Sequence, residues 1–178
     1  MIKITALLFA LLAQPIPDYD RSEWRHWIDD DRDCQNTRAE VLIERSWREV
    51  VFRTSRECVV NSGLWLDLFS GTWHTDASRL DIDHMVPLGN AHASGAWAWT
   101  RDEKRTYAND RTDPGHLLVV HRSLNRAKGA RGPENWRPPN EGGWCFYAAN
   151  WRFIKDRYGL TMTDAERRAL DTMTATCP

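Results

Sequence analysis

The chain has 178 residues, enough for one domain with a core of its own. Hydrophobic residues at 42% and charged residues at 28% exclude a disordered chain and a multi-span membrane protein. Lys+Arg 24 against Asp+Glu 25 gives a net charge of −1, which excludes a polybasic protein that holds nucleic acid by bulk charge alone. A protein that touches only a few phosphates stays open.

Met1-Ile2-Lys3, the apolar run Ile4 to Leu12 and the small residue Ala13 have the outline of an export signal over residues 1–13. The run is too short to span a bilayer. A buried N-terminal strand or helix is the alternative. Residues 14–20, with two prolines, read as a flexible leader, and residues 21–178 as a single domain. Cys34, Cys58, Cys145 and Cys177 are widely spaced, with no C-x-x-C pair to suggest zinc or a redox centre. Export makes two disulfides the expectation, and free thiols the alternative. Three pairings are open. Cys34–Cys58 with Cys145–Cys177 is preferred, because each bridge clips a contiguous stretch.

Thr37-x-x-Glu40 predicts a capping box opening a helix through about Arg45. Val50-Val51-Phe52, Cys58-Val59-Val60 and Trp65-Leu66 predict short strands, the last two separated by a turn at Asn61-Ser62-Gly63. Leu80, Ile82, Val86 and Leu88 alternate like a strand, and Pro87 marks the end of its pairing. Strict alternation would send Asp83 and His84 to opposite faces, so a site shared by both requires a bend. Thr100-x-x-Glu103 predicts another helix start, followed by a strand at His116–His121. Ser123 is expected to cap a helix on which Arg122, Asn125 and Lys128 share a face. Tyr147, Trp151, Ile154 and Tyr158 recur with helical spacing up to Gly159, and Thr163-x-x-Glu166 opens a final helix. The fold class is therefore α+β.

Two strings in the middle stretch stand together. Asp83-His84-x-x-Pro87 is followed, about forty residues on, by Asn125-Arg126-x-Lys128-Gly129, with an apolar strand between them. The segment from about Leu80 to Pro139 resembles the HNH nucleases, whose hairpin-and-helix unit is the His-Me finger. Ala91-His92-x-Ser94-Gly95 and Glu134-x-Trp136-x-Pro138-Pro139 resemble secreted bacterial members of that group. The resemblance implies a small ββα-metal core at about 80–139, flanked by short N-terminal strands and C-terminal helices. It also implies an endonuclease that leaves 5′-phosphates on DNA, with RNA as a second polymer. Little sequence preference is expected, because no major-groove reading helix or zinc finger is visible in the sequence. The middle motif letter, usually Asn, falls on His116.

The residue types suit that chemistry on their own terms. Phosphodiester hydrolysis needs an activated water, neutralised phosphate charge and help for the leaving oxygen. His84 can accept a proton near neutral pH and is the expected general base. Asp83 and the Asn125 carbonyl are hard oxygen ligands suited to Mg²⁺, with Mn²⁺ as a substitute. His116 is expected to orient the base. Arg122, Arg126, Lys128 and Arg131 are expected to hold backbone phosphates of the nucleic acid. Their stretch, Arg101 to Arg131, carries eight basic against four acidic residues, whereas Asp18 to Glu40 carries eight acidic against four basic. The expected protein is an exported monomer, free of the membrane once its signal is removed.

Blander readings suffice elsewhere. Asp29, Asp31 and Asp33 faintly resemble a calcium loop, but Cys34 stands where glycine is needed, so they read as a solvated acidic turn. Trp97, Trp99, Trp136 and Trp144 read as packing residues. Two rival functions are a non-catalytic binding module and a zinc hydrolase built on His84, His116 and His121.

Overall fold

The computed structural model describes residues 15–178. The export signal expected over residues 1–13 lies outside the described residues. Residues 15–20 have no regular structure yet are tied down, because His92 Nε2 donates to the Pro17 carbonyl at 2.8 Å. The Tyr19 ring meets His92 edge-on at 5.6 Å. One turn of 3₁₀ helix, Arg21–Glu23, then leads to the buried Trp24.

Helix α1, Thr37–Glu44, starts on Asn36 rather than in a Thr37/Glu40 box, since Asn36 Oδ1 accepts from the Ala39 amide. Thr37 and Glu40 are engaged elsewhere. The Thr37 hydroxyl faces the Ile28 carbonyl and Asn109, and Glu40 pairs with Arg111 at 2.8 Å. Strands β1 (Val51–Phe52), β2 (Val60–Asp67) and β3 (Thr72–Asp76) form an antiparallel sheet in that order. The turn expected at Asn61-Ser62-Gly63 is instead the interior of β2. A Cβ on Gly63 would come within 2.6 Å of the Trp65 ring, so this glycine serves close packing. Strand β3 escaped the sequence because it has no buried face to alternate; pairing with β2 makes it a strand.

A second antiparallel pair, β4 (Leu80–His84) with β5 (Leu117–His121), runs in register from Leu80↔His121 to His84↔Leu117. Strand β4 ends four residues before Leu88, though the Met85 amide still reaches the His116 carbonyl at 2.8 Å. Pro87 caps α2 (Leu88–Ala93), which leads to α3 (Arg101–Asn109) with the expected Thr100/Glu103 capping box. Helix α4 (Arg122–Lys128) follows β5 directly and is capped by His121, whose Nδ1 accepts from the Ser123 amide and hydroxyl. Helix α5 (Trp144–Arg157) stops at Gly159, and α6 (Asp164–Thr174) opens with the Thr163/Glu166 box.

The β4–β5 hairpin divides two apolar clusters. Leu80, Ile82, Leu117 and Val119 pack with Val41, Leu42 and Trp65 from α1 and β2. Leu118 and Val120 face the larger cluster of Trp24, Phe69, Tyr107, Tyr147 and Trp151. Period-two alternation thus divides the apolar positions of β4 and β5 between the two cores. Both preferred disulfides are present, Cys34–Cys58 and Cys145–Cys177. The acidic turn Asp29, Asp31, Asp33 is exposed.

Candidate active site

Where β4 gives out, a recess of about 230 Å³ opens between the hairpin, α4 and the N-terminal segment. It is lined by Asp83, His84, Pro87, Asn125 and Gly129, and from the other side by Arg21 and Trp27. Alternation does send Asp83 and His84 to opposite faces of β4. They still share the recess, because His84 is the last paired residue, at the end of the pair where β4 runs into the segment that connects it to β5.

His84 is held on three sides. Its Nε2 lies 3.0 Å from the Ala108 carbonyl, which can only accept, so Nε2 carries the proton and Nδ1 the lone pair. Ala108 sits in the last turn of α3, where helix carbonyls lack intrahelical donors. The Trp27 ring stacks on the imidazole at 5.6 Å and 19°. Tyr107 lies nearly parallel to it at 6.1 Å. Trp27 is held at φ 55°, a left-handed backbone that costs a bulky side chain on the order of 1–2 kcal/mol. Burial, with His116 adding to it, pushes the His84 imidazole well below the usual histidine range. The hydrogen bond to Ala108 opposes that shift without reversing it. The ring is therefore neutral, with its acceptor nitrogen making no hydrogen bond within the described residues.

Asp83 and Asn125 each use one atom for support and keep an oxygen free. Asp83 Oδ2 accepts from Lys128 Nζ at 2.5 Å. Asn125 Nδ2 donates to Asp81 Oδ2 at 3.1 Å, which fixes the flip of the amide. Neither Asp83 Oδ1 nor Asn125 Oδ1 has a hydrogen-bond partner among the described residues. Burial pushes the Asp83 carboxyl up, and the Lys128 ammonium beside it pulls the other way. Two hard, partner-free oxygens on one recess fit Mg²⁺ or Mn²⁺.

One expectation is corrected by the packing. Lys128 does not reach out to phosphate. It is fully buried, bonded to Asp83 and to the His84 carbonyl at 2.6 Å, with its ammonium 5.8 Å from the Phe69 ring centre. His116, expected to orient the base, lies behind the recess against His84. It is fully buried, donates from Nε2 to the Tyr107 carbonyl at 2.7 Å, and meets the His84 ring edge-on at 5.8 Å. It can only position, by buttressing His84. Arg122, Arg126 and Arg131 are exposed on or just after α4, and the Arg131 guanidinium folds back on the Ala127 carbonyl. The zinc arrangement fails geometrically: His121 pairs with Leu80 and His84 with Leu117, at opposite ends of the hairpin.

Sequence reasoning missed Arg21, Trp27 and Asp81. Asp81 was within reach, since it lies two residues before Asp83 and so on the same face of β4. Arg21 and Trp27 belong to a segment far from the motif, and nothing in their spacing announces that it folds over the recess.

A family model described as the C-terminal domain of GmrSD restriction endonucleases matches residues 36–173. A protein of Arthroderma benhamiae, described as an uncharacterized secreted protein, is 40% identical over 163 residues, covering 92% of this chain and 78% of its own length. That relative is fungal, so the likeness to secreted proteins is not confined to bacteria. No solved structure matches.

Proposed function

The chain belongs to the GmrSD restriction endonuclease C-terminal domain family, a nuclease-related family, and from that membership we propose an exported HNH-type endonuclease that hydrolyses DNA phosphodiesters. One observation carries the reading. His84 Nδ1, Asp83 Oδ1 and Asn125 Oδ1, all without protein partners among the described residues, belong to side chains lining one recess.

In this mechanism a water attacks phosphorus and His84 Nδ1 accepts its proton, while Ala108 holds Nε2–H and thereby the tautomer. The P–O3′ bond breaks, leaving a 5′-phosphate, and the 3′ oxygen takes a proton from solvent. A divalent cation on Asp83 and Asn125 would supply charge stabilisation at the phosphate and the leaving oxygen. Lys128 aims the Asp83 carboxyl and opposes the upward push of burial on it, and Asp81 orients the Asn125 amide. Arg21, exposed at the recess wall, is placed to meet a phosphate oxygen. Export rests on the N-terminal sequence, the two disulfides and the description of the fungal relative as secreted. No helix among the described residues is long and apolar enough to cross a membrane.

The test is digestion of supercoiled plasmid with Mg²⁺, with chelator, and with His84→Ala protein. Mg²⁺-dependent nicking should fall by on the order of 10²–10⁴ in the variant. No nicking by the parent, or more than about a tenth of its rate left in His84→Ala, rejects the reading.

A further inference from the structure

Most buried or ordered cations of this protein have an acidic partner. Lys104 pairs with Glu23, Arg105 with Asp30, Arg111 with Glu40 and Glu44, Arg152 with Asp171, Lys155 with Glu166, and Arg157 with Asp110. One group at the Leu80–His121 end of the hairpin departs from this pattern. Arg38 Nη2 is 3.0 Å from the carbonyls of both Ala77 and Leu80, so it is anchored on backbone rather than on a carboxylate. Those carbonyls bracket the exposed Arg79. Leu80 faces His121 across the hairpin, which brings the exposed Arg122 to the same corner.

Three arginines from α1, the turn before β4 and the start of α4 therefore converge. Arg53 lies close enough to act on Arg38 as well. Burial, opposed by Asp81 and reinforced by Arg122 and Arg53, lowers the Arg38 guanidinium from its ordinary value. The three nearby acids are already engaged: Asp81 holds Asn125, Asp76 accepts from the Ser78 amide while facing Arg79 and Arg122, and Asp67 accepts from the His121 amide. Four guanidiniums against three carboxylates still leave a local excess of positive charge. Gathering like charges costs energy in the free protein, and a polyanion laid across them relieves it.

We propose that Arg38, Arg79 and Arg122, with Arg53 at the outer end, form a phosphate-binding track that carries the backbone of duplex DNA to the recess. This rests on the nuclease reading and deepens it. The track meets the site at Asp81, whose charge acts on Arg38 and whose carboxylate accepts from Asn125. Its residues are arginines, which grip backbone phosphates rather than read bases, and that suits little sequence preference. It also replaces the grip first expected of Lys128.

The experiment measures affinity of His84→Ala protein for a duplex oligonucleotide across a salt series, with Arg79→Gln and Arg122→Gln added to that background. Arg38 is left intact because it ties two carbonyls of the fold. Each substitution should flatten the log–log salt slope by about 0.9 and weaken binding roughly eightfold at 0.1 M salt, the counterion release of one phosphate. Arg167→Gln, the same charge change on the exposed face of α6, should do neither. Unchanged slopes for Arg79→Gln and Arg122→Gln, or an equal loss for Arg167→Gln, overturn the track. Either result leaves Mg²⁺-dependent nicking by the parent untouched, so the track can fail while the nuclease reading stands.

Discussion

Lys128 Nζ sits 2.5 Å from Asp83 Oδ2, with both side chains withdrawn from solvent. The pair joins the helix of the second motif string to the strand of the first, so a residue that reads as a phosphate ligand is a structural counter-charge. Lys128→Met should keep much of the volume but strand a buried carboxylate, at a cost of about 3–5 kcal/mol. Thermal or urea unfolding measures this. A variant with unchanged stability but a shallower DNA salt slope would return Lys128 to the phosphate role.

Trp27 should matter through His84 alone. Its ring closes one face of the imidazole, and Trp27→Ala opens that face to water and rotation. Misplacing a catalytic group by about an ångström can cost on the order of a hundredfold. The expected outcome is a ten- to hundredfold loss in kcat with KM little changed, and substantial recovery in Trp27→Phe. A rise in KM with kcat intact would instead make Trp27 a substrate contact.

The core of this site was legible because local pattern and chemistry coincide there. Asp83-His84 ends an apolar alternation, Pro87 stops it, and Asn125 recurs on a helix after the second strand. Lys128 was misread because helical spacing shows which residues share a face but not what covers that face. Here Phe69 and β4 cover it. The strands were harder. Cys58–Val60 and Trp65–Leu66 look separate only because Gly63 resembles a turn residue, when its missing Cβ makes room for Trp65. Arg21 and Trp27 reach the recess through a long-range fold-back, which short-range spacing does not encode.

His116 gives stability a definite pH dependence. Burial lowers its folded-state value from 6.5, with the Tyr107 hydrogen bond opposing. Above about pH 6.5 the ring is neutral in both folded and unfolded chains, so its contribution is fully present. As pH falls, the unfolded chain takes a proton that the folded protein refuses, and stability drops until the folded-state value is passed. The slope from this one group reaches at most about 1.4 kcal/mol per pH unit. Melting temperatures from pH 8 to pH 5 should show the decline. His116→Gln keeps a donor for the Tyr107 carbonyl and should make the decline shallower. An identical pH profile in the variant would exclude His116 as a source.

The two disulfides should differ in function though not in stability. Their sequence separations are 24 for Cys34–Cys58 and 32 for Cys145–Cys177, so the chain-entropy argument gives about 3–4 kcal/mol for each. Their positions differ more. The Cys34 amide donates to Asp29 Oδ2, closing a turn that begins two residues after Trp27, and the bridge to Cys58 anchors that turn to the segment between β1 and β2. Cys145–Cys177 ties the start of α5 to the chain after α6, and neither half lines the recess. Cys34→Ala/Cys58→Ala should therefore lose stability and also several-fold in kcat, because the segment bearing Trp27 is released. Cys145→Ala/Cys177→Ala should lose comparable stability with kcat unchanged at a temperature where the protein stays folded. Paired unfolding curves and plasmid-nicking rates separate the two effects. Equal losses of kcat in both variants would mean that the N-terminal segment does not depend on its bridge to hold Trp27 against His84.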